Sequence, residues 1–134
     1  MSTAESRKPA LAARPLLDQV QAGELVRLYK VLSSETRLRM LHALTRASEL
    51  CVTDLAAELE MKPQAISNQL QRLVDSRIVA VRRRGGRAFY RVADSCVPGL
   101  LDLGICLLEE TGKLDTGREP PAPKEDKHDD VLLA

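Results

Sequence analysis

Apolar residues recur at helical spacing through the first half of this chain, then alternate over a short stretch, then crowd into a final helical run. Leu17, Val20, Leu25, Leu28 and Leu32 share one face of a helix expected over residues 16–32. Gly23 weakens the first half of that helix. Ser33 or Ser34 then caps a second helix, "SETRLRMLHAL", ending near Ala47, with Leu38, Met40, Leu41 and Leu44 on its apolar side. Thr53 caps a short helix, "DLAAELE", whose Leu55 and Leu59 face inward. "MK" makes a tight turn, and Pro63 opens the next helix, where a missing N–H does no harm. That helix, "PQAISNQLQRLVDSR", sets Ile66, Leu70, Leu73 and Val74 in one stripe. Its other face carries Gln64, Ser67, Asn68, Gln71 and Arg72.

The period then changes. "IVAVRRR" and "RAFYRVA" flank Gly85-Gly86, and paired glycines supply the positive φ angles of a tight hairpin turn. "VPGLLDLGICLLEE" follows as a last helix with few polar residues before Glu109. The fold class is mainly α with a small β-hairpin, arranged as a winged helix-turn-helix. Three segments result: an arm without period over 1–15, read as mobile; a domain over 16–111; and a tail over 112–134 that is disordered by composition. A core of about 95 residues can fold alone, though a shared interface would help it.

Charge sharpens the picture through its distribution. The formal net charge is +1, yet residues 63–94 hold seven arginines and two acids, while residues 113–134 hold six acids against four lysines and arginines. A basic middle on a balanced protein suits a polyanion. The helix face of short amides and hydroxyls can reach base edges, with Gln and Asn suited to adenine and Arg to guanine. Gln64, Ser67, Asn68, Gln71 and Arg72 fit that role, and Arg82, Arg83, Arg84 and Arg87 offer cations to phosphates or the minor groove. Either feature alone is ordinary solvated surface; in this order they point to nucleic acid. With Tyr29, Phe89 and Tyr90 the chain has too few aromatics to stack single strands, so duplex DNA is the target, and Phe89 or Tyr90 belongs to the core.

No apolar run reaches membrane-spanning length, and the N-terminus lacks the apolar centre of a secretion signal, so a cytoplasmic protein is expected. Three spaced cysteines in a reducing compartment do not form a disulfide framework. They serve as core, redox sensor or metal ligands. An enzyme is not indicated. His42 falls beside core leucines, His128 lies in the tail, and no nucleophile–base grouping or phosphate loop assembles.

The last helix is apolar nearly all round and needs a partner, for which a second copy of the chain is the natural choice. Gly99 and Gly104 would permit close approach, and a dimer would set two recognition helices about one turn of DNA apart. Cys96 and Cys106 are ten residues apart, hence about 15 Å along the helix and about 80° around it, so one chain cannot bring them to one ion. In an antiparallel two-fold pair centred on Leu101, Cys96 of one chain meets Cys106 of the other, and Asp94 could add an oxygen. The same pairing would also allow an intersubunit disulfide, which keeps a thiol-redox repressor open as the alternative.

Over residues 24–110 the chain resembles the ArsR/SmtB family of bacterial metal-responsive repressors. The likeness rests on "LSSETRLRMLHAL", "ELCVTDLA", "KPQAISNQLQRLVDSRIV", "RRRGGRAFYRV" and the final helix. It implies a homodimer that binds operator DNA when metal-free and releases it when metal binds. Cys51 stands where many members carry a thiolate ligand, while Thr53 stands where the arsenic pattern adds a second cysteine. Asp94 and Glu110 match the zinc pattern of the last helix; Cys96 replaces its early histidine, and Leu107 its late one with Cys106 beside it. Cys51, Cys96, Cys106 and Asp94 are thus the implied metal set. Thiolates select soft ions, so mercury, cadmium, lead or trivalent arsenic is the expected inducer ahead of zinc.

Overall fold

A computed structural model describes residues 10–114. The expected mobile arm lies outside the described residues over 1–9, and the expected disordered tail, with His128, lies outside them from 115 onward. Within the arm, Leu11–Ala13 forms a single exposed 3₁₀ turn.

Helix α1 spans Gln19–Leu32. It starts later than residue 16 because Asp18 and Gln21 form a reciprocal capping box: each side chain bonds the other's backbone N–H, at 2.8 and 3.0 Å. Leu16 therefore stays outside the helix and exposed. Helix α2 spans Glu35–Ala47, and of the two serines it is Ser34 that caps it, accepting from the Arg37 amide at 3.2 Å. Met40, Leu41 and Leu44 are buried, and Leu38 is more than one-third exposed.

Helix α3 spans Val52–Leu59, and its N-cap is Cys51, which makes no side-chain cap bond. The expected cap, Thr53, is already inside the helix. Its hydroxyl lies 3.3 Å from the Cys51 sulfur. The α3–α4 turn rests on Glu60 in the left-handed region, φ 57°. Helix α4 spans Pro63–Asp75 with Pro63 in its first turn, as the sequence requires. Ile66, Leu70 and Leu73 are at most 1% exposed and pack with Leu55, Leu59, Met40 and Leu44 in one core.

Strands β1 (Val79–Arg84) and β2 (Arg87–Val92) pair antiparallel around Gly85 and Gly86, whose φ angles of 58° and 80° suit the two-residue turn. A lone bridge adds a third edge: Leu50 and Tyr90 exchange both backbone bonds, at 3.0 and 2.8 Å. Helix α5 spans Cys96–Glu110. Its first half, through Leu101, belongs to the winged body, and Val97, Leu100 and Leu101 pack on the core. From Asp102 the chain forms a second unit, in which Leu103 and Leu107 are largely exposed. No helix among the described residues is long and apolar enough to cross a membrane.

Candidate nucleic-acid interface and thiol sites

The α4 stripe fixes what faces outward. With Ile66, Leu70 and Leu73 buried, the residues between them must turn to solvent. Gln64, Ser67, Asn68, Gln71 and Arg72 are all exposed. Three of them are braced along the helix: Gln64 Nε2 donates to Asn68 Oδ1 at 3.3 Å, and Gln71 Nε2 to Asp75 Oδ1 at 2.9 Å. Such i,i+4 bonds hold the amides in place without hiding them. Gln69, which the sequence reading passed over, lies on the flank. Its Oε1 accepts from Arg37 Nη1 at 2.6 Å, while Arg37 Nε donates to the Val31 carbonyl at 2.6 Å.

The hairpin register sorts the wing arginines, which the sequence had grouped as one set. Pairing of Arg82 with Phe89 and of Arg84 with Arg87 puts those four on one face, together with Arg91 opposite Ala80. Arg83, opposite Ala88, lies on the other face with Val79, Val81, Tyr90 and Val92. Arg83 and Arg84 are exposed beside the turn. Arg82 is engaged within the protein: its Nε and Nη2 form a fork on Glu49 Oε2 and Oε1, at 2.7 and 2.9 Å. The bond from Arg82 holds the Glu49 carboxyl below its ordinary pKa, with Arg84 and Arg91 pulling the same way, and Glu49 in turn raises that of Arg82. Phe89 is flanked by two guanidiniums, Arg82 at 5.8 Å and Arg87 at 5.7 Å from the ring centre. Phe89 is only partly buried, while Tyr90 packs against the core.

The three cysteines, all among the described residues, form no disulfide and stand in three settings. Cys51 is 5% exposed. Its sulfur lies 3.3 Å from Arg87 Nη2 as well as from the Thr53 hydroxyl. Thr53, in the place of a second cysteine, thus touches the first one's sulfur but presents oxygen. Cys96 opens α5 and is exposed; Asp94 Oδ1 accepts its amide N–H at 2.7 Å. Cys106 is half-buried. Among the described residues, no three His, Cys, Asp or Glu side chains gather closely enough to hold a metal within one chain.

His42 differs from expectation. It is exposed, in a shallow depression with Arg39, Arg46 and Glu58, because the helical phase that buries Leu41 and Leu44 turns position 42 outward. The sequence reading also missed Glu49, Arg37 and Gln69.

Comparison with known proteins agrees with this architecture. The profile described as "Bacterial regulatory protein, arsR family" matches residues 34–81. A transcriptional repressor SmtB homolog from Synechocystis sp. is 40% identical over 80 residues, which are 60% of this chain and 60% of that protein. The match thus spans less than two-thirds of the cyanobacterial relative. The crystal structure of the AntR antimony-specific transcriptional repressor is 55% identical, with TM-score 0.69, covering 81% of this chain and 97% of that one. A homodimeric winged helix-turn-helix DNA-binding domain (fragment 1–100) from Mycobacterium bovis, a possible ArsR-family regulator, is 26% identical with TM-score 0.66, over 81% of this chain and 100% of that one. With the recognition helix, the basic wing and these likenesses in agreement, the chain belongs to the ArsR/SmtB family of winged helix-turn-helix bacterial regulators.

Proposed function

We propose that this protein is a homodimeric transcriptional repressor that binds duplex operator DNA and is released by a soft metal or metalloid held by cysteine thiolates. The observation that carries the DNA half is the α4 surface: exposed amides and a hydroxyl directly opposite a stripe buried to 1% or less, beside an arginine-rich hairpin. Gln64, Ser67, Asn68, Gln71 and Arg72 read base edges, and Arg83, Arg84 and Arg87 meet the backbone.

The dimer runs through α5. That helix has no buried residue, and Leu103 and Leu107 are 70% and 63% exposed, an apolar surface that a second copy would cover. The donor chemistry suits a soft ion: three thiols outside any disulfide, and no histidine between Asp94 and Glu110. Cys96, Asp94 and Cys106 of the partner subunit would hold it in the antiparallel pairing, and Cys51 at the base of α3 is a separate candidate thiolate, since it does not gather with Asp94 and Cys96 within one chain. Bound there, the ion would cross-link thiolates of two chains. The likeness to an antimony-specific repressor, at 55% identity, supports an order with trivalent antimony and arsenic ahead of mercury, cadmium and lead, and zinc last.

If the ion favours the low-affinity form by about 1–3 kcal/mol, DNA affinity falls roughly 5–150-fold. The test is a gel-shift titration of reduced protein with antimonite, arsenite, cadmium, mercury, lead and zinc. Operator complex should dissolve with the soft ions before zinc. Failure of every soft ion would remove the sensor reading.

A second reading keeps the same cysteines as a redox pair, favoured by the exposure of Cys96. Mild peroxide followed by non-reducing electrophoresis separates the two, since only the redox reading gives a cross-linked dimer that releases DNA without metal.

A further inference from the structure

The segment Glu49–Leu50–Cys51 behaves as a third strand of the wing. Leu50 pairs with Tyr90 through two backbone bonds. Alternation then sends Glu49 and Cys51 to the opposite face, where Arg82, Phe89 and Arg87 stand. Each of the two meets an arginine there: Glu49 takes the fork of Arg82, and the Cys51 sulfur lies against Arg87. Phe89 fills the space between the two guanidiniums.

This arrangement conflicts with a phosphate-binding role for Arg82. One whole edge of its guanidinium is committed to a carboxylate, so a phosphate approaching Arg82 would meet the negative charge of Glu49 as well. Among the described residues, Arg82 is the wing arginine that has an ion-pair partner. Arg83 and Arg84 extend beyond it to the turn. Accordingly, we propose that Arg82 is a positioning residue, held by Glu49, whose fork fixes the hairpin on the 49–51 strand and so sets where Arg83 and Arg84 meet DNA. The proposal rests on the DNA-binding reading for its consequence, but the clamp itself is measurable without DNA.

Three variants decide it: Glu49→Gln, Arg82→Lys and Arg82→Gln. Amide hydrogen exchange reads the clamp in the free protein. Each variant should speed exchange at the Leu50 and Tyr90 amides while leaving the core of α4 protected. Operator titration at several salt concentrations reads the consequence. Glu49→Gln should weaken operator binding severalfold, although it removes a negative charge. Arg82→Lys should do the same, although it keeps the positive charge. The slope of log affinity against log salt should stay that of the parent for all three, and the double variant Glu49→Gln/Arg82→Gln should be no worse than either single change.

A phosphate-contacting Arg82 predicts the reverse. Glu49→Gln would then tighten binding, Arg82→Lys would retain it, and Arg82→Gln would lower the slope by about 0.9. Any of these results overturns the proposal. If the parent protein shows no salt-dependent binding to duplex DNA, the repressor reading fails on its own terms. Exchange then still decides the clamp: unchanged rates at Leu50 and Tyr90 refute it, and faster rates uphold it.

Discussion

Arg37 and Gln69 lie 32 residues apart in the chain, and their side chains meet at 2.6 Å, tying α2 to the flank of the recognition helix α4. The same guanidinium holds the Val31 carbonyl near the end of α1. One side chain on α2 therefore bridges the end of α1 and the flank of α4. Arg37→Met should cost about 1–3 kcal/mol of folding stability, the scale of a charge-assisted hydrogen bond, as read by urea unfolding. It should also weaken operator binding, because it releases the flank of α4 at Gln69.

Leu70 anchors α4 from below and is 1% exposed. Leu70→Ala should destabilise the fold by about 2–5 kcal/mol, through lost transfer energy and the cavity left behind. Denaturant unfolding monitored by circular dichroism measures it directly. A cost below about 1 kcal/mol would mean that the recognition helix is not seated as described.

Base readout and backbone contact should separate by their salt dependence. Asn68→Ala should lose about 1–3 kcal/mol of discrimination between operator and mismatched sites, with the salt slope unchanged. Arg84→Ala should weaken all sequences alike and lower the slope by about 0.9. Fluorescence anisotropy over a salt series distinguishes them.

The thiols should divide by role. Cys96→Ser and Cys106→Ser should each abolish the response to antimonite while leaving operator affinity intact. Cys51→Ser should blunt the response, because it removes one of the candidate thiolate ligands. A Cys51→Ser protein with an undiminished response would make Cys51 a packing residue. Native mass spectrometry of the reduced dimer gives the matching count of bound ions.

The Glu49–Arg82 fork should carry its own pH signature. Glu49 is held below its ordinary pKa, first by the Arg82 bonds and then by the charges of Arg84 and Arg91. A depressed folded value means that the contribution is fully present above the unfolded value and is lost as pH falls through the folded one. Wing protection factors, which remove the intrinsic pH dependence of amide exchange, should therefore stay flat down to the ordinary glutamate range and fall only below it. In Glu49→Gln that acid-side fall should disappear.

Much of the fold is legible in the sequence. The stripe and Pro63 place helix α4, and Gly85-Gly86 place the turn, because period and turn chemistry are local properties. What escaped was contact between distant segments. Thr53 looked like a cap, yet Cys51 occupies that place, since the 49–51 strand leads directly into α3. His42 looked packed, yet a single step of helical phase exposes it. Arg82 looked like its neighbours until Glu49, 33 residues away, was found against it.

By itself the sequence determined the order of elements, the outward face of α4 and the basic hairpin, because hydrophobic spacing and glycine geometry act over a few residues. Only the tertiary structure decided which arginines are engaged inside the protein, which thiol is buried, and that a lone bridge at Leu50 joins the segment before α3 to the wing. Those outcomes depend on register between strands far apart in the chain, and no local pattern encodes register across such a distance.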